Sequence, residues 1–117
     1  MHIEAFREYC IQKKGVSEEL PFDAHTLVFK VMGKIFALTS LEGEFSINLK
    51  CNPEKAQSLR ESYPAVQPGY HMNKKHWNTI VIDGSIKDPL LCTWIDESYE
   101  LVCVGLPKKL QKKLDLL

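Results

Sequence analysis

The segment from Tyr63 to Ile82 reads YPAVQPGYHMNKKHWNTIVI, and the rest of the chain is organised around it. Pro64, Pro68 and Gly69 interrupt regular structure, which predicts that a preceding helix ends here and an irregular loop follows. The residues Trp77–Ile82 are rich in β-branched side chains, which predicts a strand. Between loop and strand the segment carries two histidines and two lysines, so it is also the place to look for function.

Upstream of this segment, three short runs have apolar residues at alternating positions. They are Thr26–Val31, Lys34–Ser40 and Glu44–Lys50, and they are separated by the reversals Met32-Gly33 and Glu42-Gly43. Alternation of apolar and polar residues is typical of strands with one buried face. Short glycine-containing reversals between such runs predict antiparallel hairpins.

Helix signals flank the strands. Residues 2–14 form an amphipathic pattern that ends at Gly15, and residues 16–23 are expected to be a connector because Pro21 blocks regular structure. Asn52-Pro53-Glu54 predicts the start of a second helix, since Asn caps free N–H groups and Pro suits the first helical turn.

A longer helix is predicted near the C-terminal end of the chain. Asp88-Pro89 is expected to start it, with Asp88 as the cap, and it ends near Val104-Gly105. Its apolar stripe is expected to be buried and consists of Leu91, Trp94, Ile95 and Val102, with Ser98 on the same face. Residues 107–114 predict a short basic helix whose leucines dock on the body while its lysines stay solvated.

The predicted order is therefore α-β-β-β-α-β-α, with a further short helix at the end. This order favours an α+β, two-layer domain with a mostly antiparallel sheet of about four strands and helices packed on one side. The length of 117 residues fits one domain that covers residues 1–117.

Composition narrows the functional classes. Lys and Arg total 15 and Asp and Glu total 15, so the chain is not a strongly basic protein that coats nucleic acid by charge alone. The chain has neither a signal-peptide pattern nor a long apolar run, so we expect a cytoplasmic protein without a membrane partner. No zinc spacing and no cofactor motif is present. The cysteines are expected to be small buried side chains, and they are Cys10, Cys51, Cys92 and Cys103.

The loop before the predicted strand offers a candidate nucleic-acid interface. Lys74 and Lys75 can meet phosphates, and His76 or Trp77 can stack on a base if the ring is exposed. The alternative is that the two lysines belong to an ordinary solvated loop and that Trp77 is a core residue. Asn73 precedes them. The patch would be larger if the sheet's outer face also carries Lys30, Lys34 and Lys50.

The same loop allows other interpretations. A small-molecule or protein-interaction pocket would use Tyr70, His71, Trp77 and Asn78, because an aromatic wall with a few polar groups is typical of such pockets. His71 and His76 are five residues apart and lack an evident third ligand, so no metal site is predicted. Cys51 or Ser98 beside His71 is a conceivable nucleophile, but no catalytic motif supports it, and an enzyme is not expected.

Several motifs give the chain a resemblance to a known family. They are LKC-x-P-E at residues 49–54, YPAV-x-PGYHMNKKHWNT at 63–79, S-Y-x-L-V at 98–102 and LPKK at 106–109. With these motifs the chain resembles the MmcQ/YjbR family of small bacterial proteins over most of its length. The resemblance implies a compact α/β fold similar to frataxin-like domains, described as a double-wing arrangement, and a DNA-binding role.

The residues and the resemblance together predict a non-enzymatic DNA-binding protein. The contacts would be weak and non-specific, because nothing in the loop from Asn73 to Trp77 is suited to reading a base. DNA is the predicted partner, no cofactor is expected and no oligomeric state is predicted. The alternative is the small-molecule or protein-interaction module at residues 70–78.

Overall fold

The computed structural model describes residues 1–69 and 72–117. Within that part, the chain forms ten regular elements. In chain order they are α1 (Ile3–Ile11), β1 (Val16–Glu19), β2 (Thr26–Val31), β3 (Lys34–Ser40), β4 (Ser46–Lys50), α2 (Pro53–Ser62), β5 (Val66–Pro68), β6 (Trp77–Val81), α3 (Asp88–Val104) and α4 (Lys108–Asp115).

The strands form one sheet in the order β1-β2-β3-β4-β6-β5, and all neighbours are antiparallel. The α+β class and the antiparallel sheet are confirmed, but the described part of the chain has six strands rather than about four. The two additional strands lie at the two edges of the sheet. An edge strand is paired on one side only, so its sequence need not show the alternation that marks a central strand.

Neither edge strand has a run of alternating apolar and polar residues long enough to predict a strand. β1 has the polar sequence VSEE and pairs Val16 with Val31, so the expected connector at residues 16–23 is wrong at its start. β5 pairs Val66 with Ile80 and ends at Pro68, where an irregular loop was expected. Proline is compatible with an edge strand because its missing N–H can face away from the ladder.

One face of the sheet carries the main core. Buried side chains of β2 and β4, such as Phe29 and Ile47, meet Phe6 of α1 and Ile95 of α3. The ring of Phe6 contacts Phe29 edge-on with centroids 5.4 Å apart. The predicted stripe of α3 is confirmed, since Leu91, Trp94, Ile95, Ser98 and Val102 are all buried.

The ends of the helices match the predictions in part. Asn52 caps α2 as expected, because its Oδ1 accepts a hydrogen bond from the Glu54 N–H at 3.1 Å. Asp88 is not the cap of α3: it is already the first helical residue, Lys87 holds the cap position, and no side chain bonds the free N–H groups. A carboxylate in the first turn still interacts favourably with the helix dipole.

The terminal helix α4 docks as predicted. Leu106 and Leu114 are buried in the core cluster, Lys108 and Lys109 are exposed, and Leu117 remains 64% exposed. None of the helices in residues 1–69 and 72–117 is long and apolar enough to span a membrane.

Candidate nucleic-acid interface

The described loop before β6 is built around Asn73. Its Oδ1 accepts a hydrogen bond from the Lys75 N–H at 2.9 Å, and its carbonyl oxygen accepts from the N–H groups of His76 and Trp77 at 3.1 and 3.0 Å. These bonds fold residues 73–77 into a tight turn. Lys74 and Lys75 occupy the tip of this turn, and both are exposed.

The turn is fixed to the body of the protein by Arg60, near the end of α2. One guanidinium nitrogen, Nη1, donates to the carbonyl oxygen of Lys74 at 2.9 Å and to Oδ1 of Asn78 at 3.0 Å. The Asn78 Nδ2 in turn donates to the Ala56 carbonyl oxygen at 3.2 Å. A single arginine therefore joins the turn, the strand β6 and the helix α2.

A second attachment comes from the end of β4. The Cys51 N–H donates to the carbonyl oxygen of His76 at 2.7 Å. Because both flanks of the turn are bonded to regular structure, the two lysines are presented from a defined backbone.

Arg60 adds positive charge that the sequence alone did not assign to the site. In the described part of the chain, no carboxylate lies within 4 Å of its guanidinium, whereas the nearby Lys55 is paired with Glu97 at 2.6 Å. The site is thus a cluster of three cations: Arg60, Lys74 and Lys75. No sequence pattern indicated Arg60, because its proximity to the turn depends on where α2 ends relative to β6.

Trp77 does not occupy the exposed position that base stacking requires. Its side chain is only 8% exposed. Gly69 lies so close that a Cβ atom there would be 2.9 Å from the Trp77 Cβ. Of the two positions that the sequence left open for Trp77, the structure therefore agrees with the core residue and not with an exposed ring, while His76 is half-buried.

The larger basic patch is formed only in part. Lys30 and Lys50 lie on the outer face of the sheet, but Nζ of Lys30 is 3.3 Å from a carboxylate oxygen of Glu19. Lys34 lies opposite Val31, whose side chain belongs to the core face, so Lys34 does not share the face of the other two. Lys50 lies opposite Trp77, beside the turn, so of these three lysines it is the one placed to extend the positive region of the turn and Arg60.

The two predicted pocket residues that the structure describes do not converge. Tyr70 and His71 lie outside the described residues. Trp77 and Asn78 are both buried, but they are successive residues of β6 and so point to opposite faces of the sheet. Asn78 faces α2, so a pocket that uses both side chains is not formed.

The two conceivable nucleophiles are held in structural roles. The Ser98 Oγ is buried, donates to the Phe36 carbonyl oxygen at 2.5 Å and accepts from the Lys50 N–H at 2.8 Å. Burial raises the pKa of the Cys51 thiol, which disfavours the reactive thiolate. Among the described residues, no group of three His, Cys, Asp or Glu side chains is placed to hold a metal ion.

The cysteines divide into two kinds. Cys10 and Cys51 are buried as expected, but Cys92 and Cys103 are only half-buried. All four thiols are free. The expectation of buried cysteines thus holds for two of them.

The fold and the anchored basic turn define a class of small α+β proteins with an antiparallel sheet covered by helices on one face. Residues 11–101 match the family model described as YjbR, and the chain belongs to the YjbR family. The predicted family is therefore confirmed.

Relatives and solved structures agree with this assignment. The chain is 45% identical over 95 residues to the uncharacterized protein YbdF of Escherichia coli O157:H7, covering 80% of this chain and 78% of that protein. It is 33% identical over 115 residues to the uncharacterized protein YjbR of Escherichia coli strain K12, covering 97% and 98%. The crystal structure of Deinococcus radiodurans protein DR2400, with a DUF419 domain, superposes with a TM-score of 0.89 at 38% identity, covering 97% of this chain and 87% of that one.

Proposed function

We propose that the chain is a non-enzymatic DNA-binding protein that contacts phosphates weakly and without sequence preference. The observation that carries the proposal is the exposed Lys74-Lys75 tip on a turn whose backbone is held by Arg60. Lysines on a fixed turn lose less conformational freedom on binding than lysines on a mobile tail. His76 adds a polar ring at the edge of the same turn.

The contact would be electrostatic. Lys74, Lys75 and Arg60 together neutralise two or three phosphates, so the logarithm of the affinity should fall with the logarithm of salt concentration with a slope of about −2 to −3. Trp77 is buried and does not stack on a base. The absence of sequence preference follows, because phosphate contacts alone carry no base information.

The test is fluorescence anisotropy with a labelled duplex at low and moderate salt. We compare wild type with Lys74→Ala/Lys75→Ala and with the control Lys108→Ala/Lys109→Ala, which removes the same charge from exposed lysines of α4. The proposal expects the loop variant to weaken binding by about tenfold or more and to flatten the salt slope by about 2.

Two outcomes would refute the proposal. Wild type that fails to bind the duplex even at low salt would exclude DNA as a partner. Equal losses in the loop variant and in the α4 control would show that only total charge matters, and that the turn is not the interface.

The alternative function, a small-molecule or protein-interaction module, finds no support at Trp77 and Asn78, which face opposite sides of β6. The chain does form a groove on the outer face of the sheet, and Met72 and Thr79 are among the residues that line it. A ligand there would use different residues from the basic turn.

A further inference from the structure

The outer face of the sheet carries a groove with a volume of about 580 Å³. Its floor comes from β2, β3, β4 and β6, and its walls include Phe22 before β2 and Met72 before β6. This volume lies in the range of sites for small molecules. The groove is independent of the proposed DNA contact, because neither Lys74 nor Lys75 lines it.

The floor of the groove contains an amide that is held in place. The Thr79 Oγ1 donates to Oδ1 of Asn48 at 2.5 Å, and the two residues face each other across β4 and β6. This bond fixes the orientation of the Asn48 amide. Within residues 1–69 and 72–117, the Asn48 Nδ2 donates no hydrogen bond, so a ligand with an acceptor group can use it.

Apolar side chains provide the contact surface for a ligand body. Leu38 and Ile35 lie on the floor, and Phe22 stands at the edge with 68% of its surface exposed. Phe22 therefore offers an aromatic surface at the edge of the groove that the body of a ligand can cover.

The charge of the lining selects the kind of ligand. Asp23, Glu42 and Glu44 line the groove, and none of its described lining residues is Lys or Arg. Asp23 is held in place, because its Oδ1 accepts from the N–H groups of His25 and Thr26 at 2.7 and 2.8 Å. These bonds keep the pKa of Asp23 below its ordinary value, so its carboxylate is ionised at neutral pH.

We propose that this groove binds a small organic cation, an amine attached to an aromatic or aliphatic body. The ammonium group would meet the carboxylates of Asp23, Glu42 and Glu44, and the body would lie against Phe22 and Leu38. An acidic apolar groove disfavours an anion of the same shape, because like charges repel and the carboxylates lose hydration without compensation. His25 pairs with Glu42 at 3.1 Å and lies at the margin of this acidic rim.

The experiment is an NMR titration of the intact, ¹⁵N-labelled protein with three probes that share a phenyl ring and a two-carbon linker and differ in the charge of the terminal group. The probes are phenethylamine, which is cationic, 3-phenylpropionamide, which is neutral, and 3-phenylpropionate, which is anionic. Millimolar phenethylamine is expected to shift the backbone amides of Thr26 and Thr79 and the side-chain amide of Asn48, with smaller shifts from the neutral probe.

A charge-removing pair of variants tests the acidic rim. Glu42→Gln/Glu44→Gln is expected to weaken phenethylamine binding by about fivefold, since exposed ion pairs contribute modestly. The control Glu8→Gln/Glu100→Gln removes the same charge from exposed positions of α1 and α3 and should leave binding unchanged.

Several results would overturn the proposal. They are equal binding of phenethylamine and phenylpropionate, shifts confined to residues outside the groove, or shifts of the groove amides by Mg²⁺ or Ca²⁺ but not by the amine. Lys74→Ala/Lys75→Ala should bind phenethylamine like wild type, so failure here and failure of the DNA proposal are separate results.

Discussion

The hydroxyl of Ser98 should contribute far more to stability than its size suggests. The last paired residues of β3 and β4 are Ala37 and Leu49. Beyond them the Ser98 Oγ stands between the two strands, where it donates to the Phe36 carbonyl oxygen and accepts from the Lys50 N–H. One side chain of α3 thus connects β3 and β4 by hydrogen bonds at the point where their own pairing ends.

Ser98→Ala removes both bonds and adds no bulk. Ser98 is fully buried, so the Phe36 carbonyl group loses this partner in a site that water does not reach, and the Lys50 N–H loses its acceptor. A buried polar group left without a partner costs about 1–3 kcal/mol. Lys50 is half-buried and its amide can recover part of this from water, so we expect a total loss of about 2–4 kcal/mol.

Urea denaturation followed by circular dichroism measures this loss. Ser58→Ala, on the exposed surface of α2, is the matched control and should change the free energy of unfolding by less than about 0.5 kcal/mol. Thermal melting should show a decrease of about 8–16 °C for Ser98→Ala. Hydrogen exchange of the Lys50 amide should accelerate, because it loses its acceptor. A general loss of packing would accelerate exchange at many amides and not at this one alone.

One combination of results would show that the Ser98 hydroxyl does not stabilise the sheet by joining the two strands. If Ser98→Ala matches the control in stability and the Lys50 amide keeps its protection, then backbone relaxation or a water molecule replaces the hydroxyl. The serine would then be present for a reason other than joining α3 to the sheet.

Three further changes test other parts of the fold. Gly69→Ala should lower the free energy of unfolding in urea by about 1–3 kcal/mol, because its Cβ would lie 2.9 Å from the Trp77 Cβ and 3.0 Å from the Trp77 carbonyl oxygen. The control Gly105→Ala, whose Cβ would have no heavy atom nearer than 3.5 Å apart from those of its chain neighbours, should lower it by less than half as much. Burial raises the pKa of Tyr99 to about 12, so the stability that its protonated form contributes is fully present below about pH 10 and is lost as the pH rises towards 12. Tyr99→Phe should therefore reduce the decrease of the urea midpoint at alkaline pH, and an unchanged decrease would contradict this assignment. Asn78→Ala should cost about 2–3 kcal/mol by the same measurement, because its buried amide joins β6 to α2, and a neutral result would contradict that role.

The central strands and the helices could be predicted because their apolar residues recur with the period of the element. Ser46–Lys50 alternates between buried and half-buried residues as its sequence predicts, whereas Thr26–Val31 buries Leu27, Val28 and Phe29 in succession because both faces of β2 are covered. The edge strand β1 could not be predicted from VSEE, since its pairing with β2 depends on backbone hydrogen bonds that leave no apolar pattern. Tertiary pairing decides such segments.

The candidate site shows a similar division. Lys74 and Lys75 were identified from their position in the loop, and their exposure agrees with that expectation. The sequence left Trp77 open between an exposed ring and a core residue, because its close contact with Gly69, eight positions earlier in the chain, arises only in the fold. Arg60 was missed because its contacts arise only when α2 packs beside β6.

The acidic rim of the groove and the basic turn lie towards opposite ends of β4. The His76 carbonyl oxygen, in the basic turn, is bonded to the residue that follows β4, while Glu42 and Glu44 precede its first residue, Ser46. Five residues of strand separate these ends by about 15 Å. Because the acidic rim and the basic turn are separated by this distance, a chain with zero net charge can present a local cationic surface at the turn.

This separation makes the coupling between the two surfaces dependent on salt. The screening length is about 8 Å at physiological ionic strength and about 30 Å at 0.01 M, so the acidic rim can repel a bound duplex only at low salt. We therefore expect Glu42→Gln/Glu44→Gln to strengthen DNA binding at low salt and to have little effect at physiological salt, as measured by anisotropy. Glu8→Gln/Glu100→Gln controls for net charge. An equal gain from both pairs of variants, or a gain that persists at physiological salt, would mean that the acidic rim lies closer to the DNA than the strand geometry implies.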